Sequence, residues 1–261
     1  MDPQRPERGP EEGPREPWEA GTFEHSDLRR ALAEAATAPD PREVPALLCR
    51  ACVKHLDITG ASVSLSGGHG LRALWWSSDA VAGQLAEAQY TLGDGPCQSA
   101  LNLVAPVLAN DLGRGPDAER WPVFAQRAVE LGVRAVFSLP LGSEALSIGT
   151  LDLYRSTPGP LSGRDMSFAF PVGDAITYAL LRLQADDASG GDGAREYESS
   201  WLGAAEQEHS EVYYATGMLM VQLQVGAEHA LSRLRAYAFA EGRTVTEVAR
   251  NVIARRVTFD E

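Results

Sequence analysis

A chain of 261 residues with a formal net charge of −13, 44% hydrophobic and 23% charged residues has room for one large domain or two smaller ones. That acidity excludes a broadly basic nucleic-acid binder, so any RNA-contacting surface has to be local. No window approaches the apolar length of a membrane span, the three cysteines are an odd number, and no apolar run opens the chain, so a soluble protein of the reducing cytoplasm with no membrane partner is expected.

Residues 1–25 read as a disordered acidic leader, because the first 24 hold five prolines and seven acids and offer almost nothing to bury. Two helices follow, the first with Ser26 as N-cap and Leu28, Leu32 and Ala35 on one side, the second with Val44, Leu48, Cys52 and Leu56. Cys49, Cys52 and His55 on that second helix have the spacing of partial metal ligands or a redox pair. They lack a fourth ligand nearby and sit in mid-helix, which favours structural cysteines and no metal.

From Gly60 the period changes to two. Ala61, Val63 and Leu65 alternate with Ser62, Ser64 and Ser66 in a half-buried strand, and Leu71–Ser77 returns as its hairpin partner. A helix over 78–89, a strand over 104–108, a helix over 121–131 and strands over 133–141 and 147–154 complete an α+β domain with a mainly antiparallel sheet. The helix over 162–187 contains Pro171, which should kink it or mark its start. The Asp- and Gly-rich stretch 186–196 then reads as a flexible linker. Helical spacing resumes through Tyr197, Trp201, Ala205 and Glu208, and an extended helix of this kind predicts pairing with a second copy.

The C-terminal part reads as three helices. Val212, Ala215, Leu219 and Leu223 mark the first, and Ala230, Leu231, Leu234, Ala238 and Phe239 the second. Thr244 with Glu247 makes a capping box for a third that carries Val248, Ala249 and Val252. Three helices over some 45 residues bury little surface, so a partner or a longer first helix is expected.

Two resemblances are carried by phrases in this chain. Gly93-Asp94-Gly95-Pro96-Cys97, Asn110-Asp111-Leu112, Arg120-Trp121-Pro122-Val123-Phe124, the run Gly132–Leu141 and the run Ile148–Tyr154 together resemble a GAF sensor domain over residues 26–185. Ala215-Thr216-Gly217-Met218-Leu219-Met220, then Ala230, Leu234-Arg235, Val248-Ala249 and Val252-Ile253, resemble the RNA-binding ANTAR family over residues 197–261. The first resemblance implies a central antiparallel sheet with flanking helices and a ligand pocket whose candidates are Trp76, Cys97, Asp111, Trp121 and Phe137. The bland reading beside it is a domain retained for dimerisation or protein contact. The Asn-Lys-Phe-Asp-Glu signature of cyclic-nucleotide-binding members is absent from the chain, and no cofactor can be named. Cys97 at a helix start fits redox sensing or packing.

The second resemblance implies contact with RNA stem-loops in nascent mRNA through Ala215, Thr216, Gly217, Arg233, Arg235, Arg243 and Arg250. Between Val212 and Arg256 six arginines face three glutamates, a balance of +3 against −13 for the whole chain. Three positions depart from the family pattern: Thr216 where many members carry Lys, His209 where an Arg is frequent, and Leu231 where an aromatic is frequent. The expected protein is a dimeric, non-catalytic, signal-responsive antitermination regulator. The alternative is a signalling adaptor whose ANTAR half binds protein.

Overall fold

Alternation, caps and glycines place the first domain as a sheet covered on both faces. The computed structural model describes residues 17–68, 71–143, 146–189 and 210–259. Five antiparallel strands, β1 (Gly60–Gly68), β2 (Leu71–Ser77), β3 (Val107–Ala109), β4 (Ala135–Ser143) and β5 (Leu146–Arg155), lie in the order β2-β1-β5-β4-β3. Gly149 is required at the centre of this sheet, because a Cβ there would stand 2.3 Å from the Ser64 carbonyl oxygen.

One sheet face carries Ala61, Val63, Leu65, Phe137, Leu139, Leu141, Leu151 and Leu153. It is buried against α1 (Pro17–Ala36), α2 (Val44–His55) and α7 (Gly163–Ser189) in the larger core. The other face lies under α3 (Ala80–Leu92), α4 (Pro96–Leu103) and α6 (Pro122–Glu130), with the short α5 (Gly115–Arg120) ahead of α6. Trp121, Phe124, Leu112, Val136 and Tyr154 form the second core there.

Three expectations change. The first helix begins at Pro17 rather than Ser26, so residues 17–25 are helical; proline fits the opening position of a helix, where its missing N–H costs nothing. Residues 1–16 lie outside the described part. Helix α7 passes through Pro171 and through Asp186 and Asp187 to Ser189, since aspartate only weakly opposes a helix. Residues 190–209, which include most of the expected linker, the upstream helical stretch and His209, are outside the described residues. Ser62 and Ser64, expected on a solvated face, are 3% and 2% exposed.

The C-terminal unit comprises α8 (Ser210–Leu223), α9 (Ala227–Ala240) and α10 (Val245–Ile253). Val212, Ala215, Leu219, Ala230, Leu234, Ala238, Val248 and Val252 fill its core, and the tail returns so that Gln222 Nε2 donates to the Phe259 carbonyl at 2.6 Å. Phe239, expected in the apolar stripe, is 57% exposed. The missing partner is supplied by the chain itself: Tyr90 of α3, 2% exposed, belongs to this third core.

The capping box is present, Thr244 Oγ1 accepting the Glu247 amide at 3.2 Å and Glu247 Oε2 accepting the Thr244 amide at 2.9 Å. The Thr244 amide holds the Glu247 carboxyl below the usual carboxylate range. Its contribution is therefore complete above the ordinary carboxylate pKa and lost as pH falls through the lowered value. Thr244→Ala should cost about 1 kcal/mol of stability, read as a lower denaturation midpoint with unchanged slope.

Candidate functional site

The face of the sheet under α3 and α4 carries an internal row of polar side chains. In register, Ser62 lies opposite Asp152 and Ser64 opposite Thr150 across β1 and β5, while Ser138 of β4 flanks Asp152 on its other side. Ser138 and Thr150 are fully buried and Asp152 is 7% exposed. The Ser138 hydroxyl donates to Asp152 Oδ1, and the Thr150 hydroxyl donates to Oδ2 at 2.9 Å. A buried carboxylate is tolerated only where donors surround it, and this row supplies them on a sheet otherwise built from aliphatic residues. Helix α4 packs over β4 and β5. Its first turn is fixed by Gln89, whose Oε1 accepts the Cys97 amide at 2.9 Å.

The five residues expected to line a pocket are not brought together. Cys97 and Trp121 lie on the α4 and α6 side, Trp121 Nε1 donating to Ser99 Oγ at 3.2 Å. Trp76 and Phe137 belong to the opposite face. Trp76 pairs with Val63 and has the Arg50 guanidinium 5.8 Å from its ring centre, and Phe137 is fully buried in the larger core. Asp111 sits at the domain edge, accepting from Arg134 Nη2 at 2.8 Å and Arg114 Nε at 3.0 Å. The Arg134 hydrogen bond, ahead of its other partners, holds the Asp111 carboxyl below the usual range. The polar row was not among the expected residues. Its signal was the spacing Thr150-x-Asp152, which sets both side chains on one face of a strand.

All three cysteines are fully buried free thiols. Burial, with neighbouring Cys52 adding to it, raises the Cys49 pKa; burial alone pushes Cys52 up to about 12. Among the described residues no group of three His, Cys, Asp or Glu side chains could hold a metal ion. We expect none of the three thiols to react with an aromatic disulfide reagent at neutral pH until the protein is denatured. Fast labelling of Cys97 in the native state would instead restore its redox reading.

On the helical unit, the expected RNA contacts divide by exposure. Ala215 is fully buried core and the Thr216 hydroxyl donates back to the Val212 carbonyl at 2.7 Å. Gly217 is exposed, with nothing within 4 Å of where a Cβ would stand. Arg233 and Arg243 are exposed, as are Arg255 and Arg256, which the expected set omitted. Arg250 is also exposed and pairs with Glu211 at 3.1 Å.

Arg235 is turned onto the first domain. Its Nε donates to the Tyr90 carbonyl at 3.1 Å and its guanidinium carbon lies 5.5 Å from the centre of the Tyr90 ring. Beside it the Val245 amide donates to Thr91 Oγ1 at 3.2 Å. An open cleft of about 410 Å³ runs along this seam, with Gln84, Glu87 and Arg127 on one wall and Phe239, Arg243 and Glu247 on the other.

Comparison with known proteins agrees with this architecture. A GAF domain family model matches residues 38–180, more than half of the chain, and an ANTAR domain model matches residues 202–253. Among curated proteins none matches the chain. Among solved structures, the GAF domain of a phosphoenolpyruvate-protein phosphotransferase from Coxiella burnetii aligns with TM-score 0.52 at 16% identity, covering 64% of this chain and 98% of that one. The free methionine-R-sulfoxide reductase from Neisseria meningitidis, in complex with its substrate, aligns with TM-score 0.50 at 14% identity, covering 64% and 93%. At these identities the likeness is one of fold. Among the described residues no helix is long and apolar enough to cross a membrane. The chain belongs to the GAF domain family, and an ANTAR domain follows its sensor fold.

Proposed function

We propose that this protein is a cytoplasmic, non-catalytic regulator in which the GAF domain senses a small molecule or holds a dimer, and the ANTAR domain binds RNA stem-loops to cause antitermination. The observation that carries the RNA reading is electrostatic. Residues 212–256 carry six arginines and three glutamates in a chain of net charge −13, and Arg233, Arg243, Arg255 and Arg256 stand exposed. Local cationic side chains on a rigid helical unit suit phosphate contact, while Gly217 leaves room for an unstacked base to approach. Phe170, Tyr178 and Leu181, exposed at 44%, 63% and 47% on α7, support pairing of two copies through that helix.

A second reading has its own support. Tyr213, Tyr214 and Val221 are exposed at 62%, 65% and 81% on α8, an apolar surface that suits protein contact better than phosphate. Filter binding of the full chain to stem-loop RNA at low salt, beside the same chain ending at residue 196, separates the two. Retention that depends on the C-terminal part supports the RNA reading. Equal retention of both, at background level, would leave the adaptor reading in its place.

A further inference from the structure

Three consecutive residues at the end of α3 hold different partners. Gln89 accepts the Cys97 amide and so fixes the first turn of α4, the helix over the polar row. The Tyr90 carbonyl and ring hold Arg235. The Thr91 hydroxyl donates to Glu87 at 3.2 Å and accepts the Val245 amide, which opens α10.

The turn that follows leaves little slack on either side. Gly93, with φ +65°, ends α3 directly beneath Arg235, so that a Cβ there would lie 2.7 Å from Nη1. Gly95 packs on Gln89 in the same way, its Cβ position 2.6 Å from Oε1. A shift of α4 therefore reaches Gln89, and Gln89 shares one helical turn with the two residues that seat the helical unit.

On the other side of the seam stand two of the arginines assigned to RNA. The Arg235 guanidinium is committed to Tyr90, while Arg243 stands exposed at the rim of the interdomain cleft. A phosphate and the Tyr90 carbonyl cannot both occupy the same Nε–H. Docking on α3 and contact with RNA through the Arg235 Nε–H exclude one another.

We propose that the Gln89–Tyr90–Thr91 turn is a regulatory latch, which withholds Arg235 from RNA while α4 lies on the sheet and releases it when α4 is displaced. The latch rests on the RNA reading above. A ligand that prefers the displaced form of α4 would shift the population toward the undocked unit by its difference in affinity for the two forms.

The full-length chain tests this with two readouts: hydrogen exchange at the Val245 amide for the seam, and filter binding to stem-loop RNA for the consequence. Thr91→Val retains the branched shape and removes the acceptor, so both Val245 exchange and RNA affinity should rise roughly fivefold, the worth of one hydrogen bond. Gln89→Met retains the volume, removes the acceptor for the Cys97 amide, and should move both readouts in the same direction. Unchanged exchange at β4 and β5 amides in both variants is expected from an intact GAF domain. Faster Val245 exchange with unchanged or weaker RNA binding would overturn the latch and leave the RNA reading standing. Val245 exchange that responds to Thr91→Val and ignores Gln89→Met would overturn the connection to α4. Absence of RNA binding in every variant, the seam-opened ones included, removes the RNA reading and the latch together.

Discussion

Phe137→Ala should lower the unfolding free energy by about 3–5 kcal/mol, read as a shift of the denaturation midpoint at constant slope. The reason is placement. Phe137 is fully buried in the core between the sheet, α2 and α7, pairs with Leu153 across β4 and β5, and has the Arg155 guanidinium 5.6 Å from its ring centre. Truncation leaves a cavity enclosed by aliphatic neighbours that cannot all collapse into it. A residue lining a ligand pocket would behave differently: its loss would cost affinity and little stability, because such a site already borders open volume. A shift below about 1 kcal/mol would therefore return Phe137 to the pocket and contradict the assignment of the two sheet faces.

The second large effect concerns the exposed cations. Replacing Arg233, Arg255 and Arg256 together by Gln should weaken RNA binding on the order of tenfold or more at low salt, and flatten the dependence of log K on log salt by roughly two units. Each side chain is exposed in the docked arrangement, so this loss should appear without opening the seam. Fold stability should change by less than about 0.5 kcal/mol, since surface substitutions away from buried partners rarely do more. An unaltered salt slope would mean that the phosphates follow a different face.

Much of the fold was legible because its signals are local. The alternation in β1 and the Thr244–Glu247 box each need only a few consecutive residues, and both are present as expected. Phe137 shows where local signals end. A period of two says that Phe137 and Leu139 share a face and that Val136 and Ser138 share the other. It does not say which helices cover which face, and so the expected pocket drew from both. Solvent exposure is expected of Ser62 and Ser64 for the same reason: nothing within β1 announces that α3 will cover it. Arg235 is the clearest case. Its place beside Leu234 on an amphipathic helix was readable, but its partner Tyr90 lies 145 residues earlier, and only the folded chain sets the two together. The buried Tyr90 likewise answers the expectation that three short helices need a partner, from a part of the sequence that carried no sign of it.

The central claim, that a locally cationic helical unit in an acidic GAF-domain chain contacts RNA, is tested most directly by a salt titration of the full-length protein with stem-loop RNA. The account predicts a linear fall of log K with log salt, losing roughly 0.7–0.9 of slope for each phosphate neutralised, with at least three such contacts. Binding that is absent at the lowest salt, or present and insensitive to salt, would contradict it.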